Sequence, residues 1–322
     1  MRHYSPATVE IMGGSVMASP QAEALKQMMR EFRDATLGAS SAAPPTVEDQ
    51  RAGAAMSMEM IGVMPDGVTI TEIDVAGMFA LDVVPDGAVT DRVVLYLHGG
   101  GYVVLSPRTH AKLAAGIAKA VGCRLVSVDY RLAPEHPFPA AVDDALAAYR
   151  ALLDQGYAPH QVAISGDSAG GGLTMATLLA ARDAGVPQPA AAVPLSPWVD
   201  LEGTGETMDS KADADLIVGR DGLKMMADMY VAGGDFRDPL VAPMYGDFTG
   251  IAPLYIQVGG DETLLDDSTR LAANAARAGV DVRLDVFPEM QHVFQTALGM
   301  IPEADDAIAR IGQYLRGKLQ IG

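Results

Sequence analysis

The sequence predicts an α/β protein built on a mostly parallel, eight-stranded sheet with helices on both faces. Three observations lead there: eight short strand-like runs, helix-length segments between the later runs, and two glycine-rich turns that each follow a strand. From residue 68 the runs are VTITEIDV, MFALDVV, RVVLYL, CRLVSVD, QVAIS, AAVPLS, PLYIQVG and VRLDVF. The first two are close enough to pair antiparallel, whereas the later runs are separated by the longer crossovers that parallel neighbours need. In AAVDDALAAYRALLDQG, Val142, Leu146, Tyr149 and Leu153 recur at four- and three-residue steps, one face of a helix that Gly156 can close. Helices are also expected over 107–121, 169–184, 266–279 and 303–318. Two regions stand outside the alternation: residues 1–50, with AEALKQMMREFRDA and the breaker SSAAPP, and residues 197–235, with DGLKMMADMYVAG. They are expected to form a helical cap over a catalytic domain of residues 51–196 and 236–322. Their methionines suit a flexible lining for an apolar ligand, and equally suit plain packing of two helices on the core.

Composition narrows the function. A chain of 322 residues that is 49% hydrophobic can bury one full core with a smaller appendage. A net charge of −18 argues against nucleic-acid or anionic-membrane partners, which reward clustered Lys and Arg. Cys123 is the one cysteine, which excludes an internal disulfide, and its strand-like surroundings predict a buried thiol. No apolar run approaches a membrane span, and the first twenty residues, interrupted by Glu10, do not read as a signal peptide. A cytoplasmic protein is expected, acting on a small molecule, with homodimerisation left open.

Chemistry enters at the two turns. QVAISGDSAGGGL runs from a strand through Gly166-Asp167-Ser168-Ala169-Gly170 into a helix, the context a G-x-S-x-G nucleophile elbow requires. There the glycines permit a sharp reversal that lifts Ser168 to a helix N-terminus, where a developing anion is stabilised. VVLYLHGGGYVVLSP ends a buried strand in residues with almost no side chains. Backbone N–H groups aimed at an oxyanion need such access, so Gly100 and Gly101, with Ala169, are the expected oxyanion hole. His98 reads as a structural residue that holds this loop, with general base as the lesser alternative. A serine nucleophile also needs a base and an orienting carboxylate after later strands, in the order Ser, Asp or Glu, His. His292 follows the last strand and is the expected base, while His3, His110, His136 and His160 read as terminal, surface or loop residues. Asp261, ending LYIQVGGDE, is the expected acid; Glu262 adjoins it, and Asp238 is a third contender on an earlier loop. No metal and no cofactor are expected, because no metal-ligand spacing stands out and HGGG lacks the GK[ST] of a phosphate loop.

With HGGGY at 98–102, DYRLAPEHPFPAA at 129–141, GDSAGGGL at 166–173, LSPWVDL at 195–201, QVGGDETLLDD at 257–267 and His292, most of the chain resembles the hormone-sensitive-lipase-like (bacterial family IV) esterases. The resemblance implies an α/β-hydrolase fold, a helical cap, and hydrolysis of short- to medium-chain acyl esters through an acyl-enzyme, without a cofactor. It also implies a buried polar network of Asp129, Arg131 and Glu135 behind the glycine loop. The family's acid commonly begins a D-P-L triplet, whereas the seventh strand here ends in Asp261-Glu262-Thr263 and a D-P-L falls earlier, at 238. A lactone hydrolase, amidase or acyltransferase could use the same triad. A non-catalytic small-molecule receptor would resemble the same scaffold, but the retained His292 argues against it.

Overall fold

The computed structural model describes residues 17–38 and 45–322. The expected segment before Met17, including His3, and nearly all of the SSAAPP breaker lie outside the described residues. One sheet organises the rest. Its strands are β1 (Val68–Val75), β2 (Met78–Pro85), β3 (Val89–Leu97), β4 (Cys123–Val128), β5 (Val162–Asp167), β6 (Ala191–Leu195), β7 (Leu254–Gly259) and β8 (Val282–Phe287). They lie in the order β1-β2-β4-β3-β5-β6-β7-β8, and β2 alone runs against its neighbours. β5, β6 and β7 are buried along their whole length, which explains their near-continuous apolar composition; β1, at one edge, alternates between sheltered and exposed residues.

The period of two sorts the side chains between two cores. Val93, Leu95, Leu97, Val126 and Ile164 face α4 (Ala140–Asp154), α5 (Ala169–Asp183) and α8 (Leu265–Arg277). Val94, Tyr96, Leu125, Ala163 and Val193 face α3 (Ala111–Val121) and α9 (Pro302–Leu319). Helix α4 buries Val142, Tyr149 and Leu152, close to the stripe expected from sequence, and Gly156 turns out of it at φ +102°. Cys123 is buried on the second face, where desolvation pushes its thiol up to about 12, so it is inert packing.

The segments outside the alternation are helical. Helix α1 (Pro20–Gly38) is capped by Ser19, whose Oγ accepts from the Ala22 amide at 3.1 Å, and it starts on a proline whose missing N–H costs nothing there. Its N-terminus is tied down by two distant carboxylates: Ala18 N–H donates to Glu289 at 2.9 Å and Ser19 N–H to Glu303 at 2.6 Å. Helix α2 (Val47–Met60) starts at a Thr46–Asp49 capping box and runs past residue 50, so the boundary expected there falls inside a helix. It buries no residue fully and is held by Arg51, which donates to the carbonyls of Val103 and Ala133 and pairs with Glu135. Between β6 and β7 lie α6 (Thr207–Ser210) and α7 (Arg220–Val231).

Arg51 also corrects one expectation. The residues of DYRLAPEHPFPAA do not form a buried network: Glu135 meets Arg51 at the surface, Arg131 makes a bidentate pair with Asp144, and the Asp129 side chain is exposed. The buried polar centre lies instead at Asp167, the last residue of β5. Its carboxylate accepts from the Tyr96 hydroxyl at 2.6 Å and the Gly99 amide at 3.1 Å, and lies 3.2 Å from His110 Nε2. His110, expected at the surface, is therefore a buried ion-pair partner. Burial alone would lower its pKa, but Asp167 outweighs burial and the net shift is upward. For Asp167 burial works upward and is overcome by His110 and Tyr96, so its pKa falls.

The pair's stability has a defined window. His110 contributes fully below its ordinary value of about 6.5 and loses that contribution as pH rises through its higher folded value. Asp167 contributes above about 3.9 and loses it as pH falls through its lower folded value. Removing one partner strands a buried charge, so His110→Ala should cost about 3–5 kcal/mol at pH 6. Urea titrations should give that difference and show it narrowing as the pH is raised above neutrality.

Candidate active site

Because β3, β5, β6, β7 and β8 are successive parallel neighbours, the loops at their C-terminal ends open on one edge of the sheet. In sheet order that edge carries the glycine loop, Ser168, Ser196, the Asp261-Glu262 turn and His292.

Ser168 sits at φ +53°, ψ −121°, between the end of β5 and the first residue of α5. A side chain there is strained, by about 1–3 kcal/mol, and must be held by its surroundings. Its N–H donates to Leu195 O at 2.8 Å, and its carbonyl accepts from Gly172 at 3.0 Å and Trp198 at 2.9 Å. The elbow glycines are required by close approach. A Cβ on Gly166 would strike the carbonyls of Leu97 and Gly170, and one on Gly170 those of Leu97 and His98.

The glycine loop obeys the same constraint. A Cβ on Gly99 would meet the Asp167 carboxylate, one on Gly100 the carbonyl of Val104, and one on Gly101 the sulfur of Met226 in α7. The Gly100 carbonyl is occupied by the amides of Val103 and Val104, while the amides of Gly100 and Gly101 donate to no group among the described residues. His98 is buried with Nδ1 donating to Gly99 O at 2.7 Å and its ring stacked on Tyr130. Desolvation lowers its pKa to about 3, which suits a neutral structural ring.

The carboxylate on His292 is Glu262, where the sequence pointed to Asp261. His292 Nδ1 lies 2.8 Å from Glu262 Oε2, and Glu262 also accepts from Ser196 Oγ at 2.7 Å and from the Gly259 amide. Asp261 turns outward, 23% exposed, with Lys211 Nζ at 3.5 Å. The turn geometry decides between them. Gly260 N–H donates to Phe287 O and Asp261 N–H to Met290 O, so the two loops zip together backbone to backbone. With Asp261 directed toward Lys211, the following side chain turns in beneath His292. A Cβ on Gly259 would strike the Met290 carbonyl, so this zipper depends on a glycine there. Asp238 lies on a separate turn, accepting from the Leu240 amide.

Three neighbours were not read from the sequence. Ser196 Oγ, besides donating to Glu262, accepts from the Val293 amide at 3.3 Å and so ties Glu262 to the His292 loop. Asp215, from the segment between α6 and α7, accepts from Thr263 N at 2.8 Å and from the amides of Ile217 and Val218. Gln291 donates to Ala214 O and accepts from Leu216 N, so residues 214–218 are pinned beside both Glu262 and His292. No local pattern marks these residues, since apart from the neighbouring amides of Ile217 and Val218 their partners lie 48 to 97 positions away in sequence. Burial would lower the His292 pKa, but Glu262 in contact, with Asp215 and Asp167 further off, raises it overall.

A strained serine, a buried histidine–carboxylate pair and free backbone amides on one sheet edge can together perform acyl transfer. The family described as alpha/beta hydrolase fold matches residues 94–296. An acetyl-hydrolase of Streptomyces hygroscopicus is 40% identical over 300 residues, 93% of this chain and 97% of its own length. An esterase of Acinetobacter venetianus is 33% identical over 249 residues, 77% of this chain and 82% of its own. Among solved structures, an esterase from the bacterial hormone-sensitive lipase family has a TM-score of 0.88 at 44% identity, covering 94% of this chain and 100% of that one. A hormone-sensitive lipase from a metagenome library gives 0.88 at 39% identity with the same coverage. The chain therefore belongs to the hormone-sensitive-lipase-like esterases of the α/β-hydrolase superfamily and is a carboxylic ester hydrolase.

Proposed function

We propose that the protein is a serine carboxylesterase that hydrolyses short- to medium-chain acyl esters through an acyl-enzyme on Ser168. The observation that carries the reading is the buried His292–Glu262 pair, carried two and three strands away from the elbow on the same sheet edge. With Nδ1–H donated to Glu262, neutral His292 keeps its Nε2 lone pair for the Ser168 proton. Ser168 Oγ then bonds the ester carbonyl carbon, and the carbonyl oxygen becomes an oxyanion stabilised by the N–H groups of Gly100, Gly101 and Ala169. Protonated His292 returns the proton to the departing alcohol, and water repeats the sequence to release the acid. Ala22, Leu25 and Met29 of α1 and Ile217 of the insert line a small cavity of about 20 Å³ against His292, which supports reading α1 and the insert as a cap on the base side of the site, away from Ser168 and the glycine loop. A roofed pocket limits acyl length, and the acetyl-hydrolase relative agrees in kind.

Ser168→Ala should keep its thermal midpoint yet lose essentially all hydrolysis, and a fluorophosphonate should label the parent once, at Ser168. Labelling elsewhere sinks the assignment. On a panel of aryl esters, kcat/KM should peak at short to medium acyl chains and fall beyond them; a rate still climbing at long chains would contradict a closed roof.

The acid is tested by kinetics and pH together. Glu262→Gln should lower kcat on the order of 10⁴ through loss of the correct tautomer, while Asp261→Asn changes it little. Only neutral His292 accepts the proton, and its pKa is raised, so the acid limb of kcat/KM should have its midpoint above about 6.5. Glu262→Gln should move that midpoint down. A midpoint unmoved by the substitution would separate Glu262 from the base.

A further inference from the structure

Gly100 at φ +112°, Gly101 at φ +62° and Tyr102 at φ +62° place three successive residues in left-handed backbone, and the last is bulky. Such a run persists only where the surroundings over-determine it. The Gly100 and Gly101 amides cannot hold it, since they have no partner among the described residues. The backbone anchors are the Gly99 amide on Asp167, the Gly100 carbonyl, and Ala133 N–H on the Tyr102 carbonyl at 2.8 Å. Trp198 lies with its ring 6.2 Å from that of Tyr102, and a further constraint comes from α7. Met226 lies directly against Gly101, and one turn later Tyr230 stacks on Tyr102 with ring centroids 3.9 Å apart and planes 6° from parallel. Tyr230 is itself fixed: Phe138 meets its ring edge-on at 6.0 Å, and the Phe138 amide donates to its carbonyl at 2.8 Å. Both phenol rings are buried, and neither hydroxyl has a partner among the described residues. The contact is made by ring faces, not by hydrogen bonding.

We propose that Tyr230 is a positioning residue for ester hydrolysis: its ring, carried on the insert, holds Tyr102 and thereby aims the Gly100 and Gly101 amides at the oxyanion. The inference rests on the serine esterase reading given above. Catalysis is sensitive to such aim, because donors must sit where charge develops and a misplacement of about 1 Å can cost on the order of 100-fold.

The test compares Tyr230→Leu with Tyr230→Phe, using kcat per titrated active site, KM, and inhibition by an aryl trifluoromethyl ketone. Ser168 Oγ adds to the carbonyl carbon of that ketone, its proton passes to His292, and the carbonyl oxygen becomes an oxyanion in the same hole. Tyr230→Leu should lose on the order of 10- to 100-fold in kcat and in ketone affinity alike, with KM nearly unchanged. Tyr230→Phe should restore both, because the hydroxyl has no partner. Should Tyr230→Leu fail to fold, Met226→Ala must show the same paired loss at smaller size. Full kcat and ketone affinity per titrated site, with only fewer active sites or a lower melting point, would overturn the proposal and leave Tyr230 as packing. A parent protein that forms no hemiketal at Ser168 would overturn the serine reading, and this inference with it.

Discussion

One carboxylate, on Asp167, fixes the geometry on which the rest of the site depends. It ends the central strand immediately before the serine, and it gathers a hydroxyl from the neighbouring strand, an amide from the glycine loop and an imidazole from the start of α3. A buried carboxylate this well satisfied is not cheaply moved, because each lost partner leaves desolvated charge behind. Ser168 and the glycine loop are thus referenced to the same two oxygen atoms. This also accounts for Gly99, which has no Cβ because the Asp167 carboxylate occupies the space.

A second constraint, close backbone approach, governs the other half of the site. The Glu262 turn and the His292 loop are joined by main-chain hydrogen bonds at Gly260 and Asp261, with Gly259 admitting the Met290 carbonyl. Ser196 closes the join from the strand between elbow and acid. Side chains can vary on such a frame only where they point away from it, as Asp261 does toward Lys211. The strained φ of Ser168 is supported in the same way, by three main-chain hydrogen bonds to fixed neighbours.

What was legible in the sequence was whatever local pattern determines. Alternation gave the eight strands, and turn glycines gave the two tight turns that follow β3 and β5. The choice between Asp261 and Glu262 was not legible, because it rests on the direction of a turn set by contacts with residues 287–290, and adjacent acids look alike in one dimension. His110 was misread for a related reason: its position at the start of a helix suggests exposure, while its burial is decided by Asp167, 57 residues later. Arg131 and Glu135 erred in the opposite sense. The family resemblance implied mutual pairing, but each found a partner on a different element, Asp144 on α4 and Arg51 on α2.

The insert does more than border the pocket. Asp215 and the segment around it are hydrogen-bonded to the residues beside the acid and the base, and α7 rests on the glycine loop. The insert between β6 and β7 is therefore not a detachable module. Transplanting a relative's insert as a block, or selecting for a wider pocket by lengthening it, would disturb the reacting groups along with the walls.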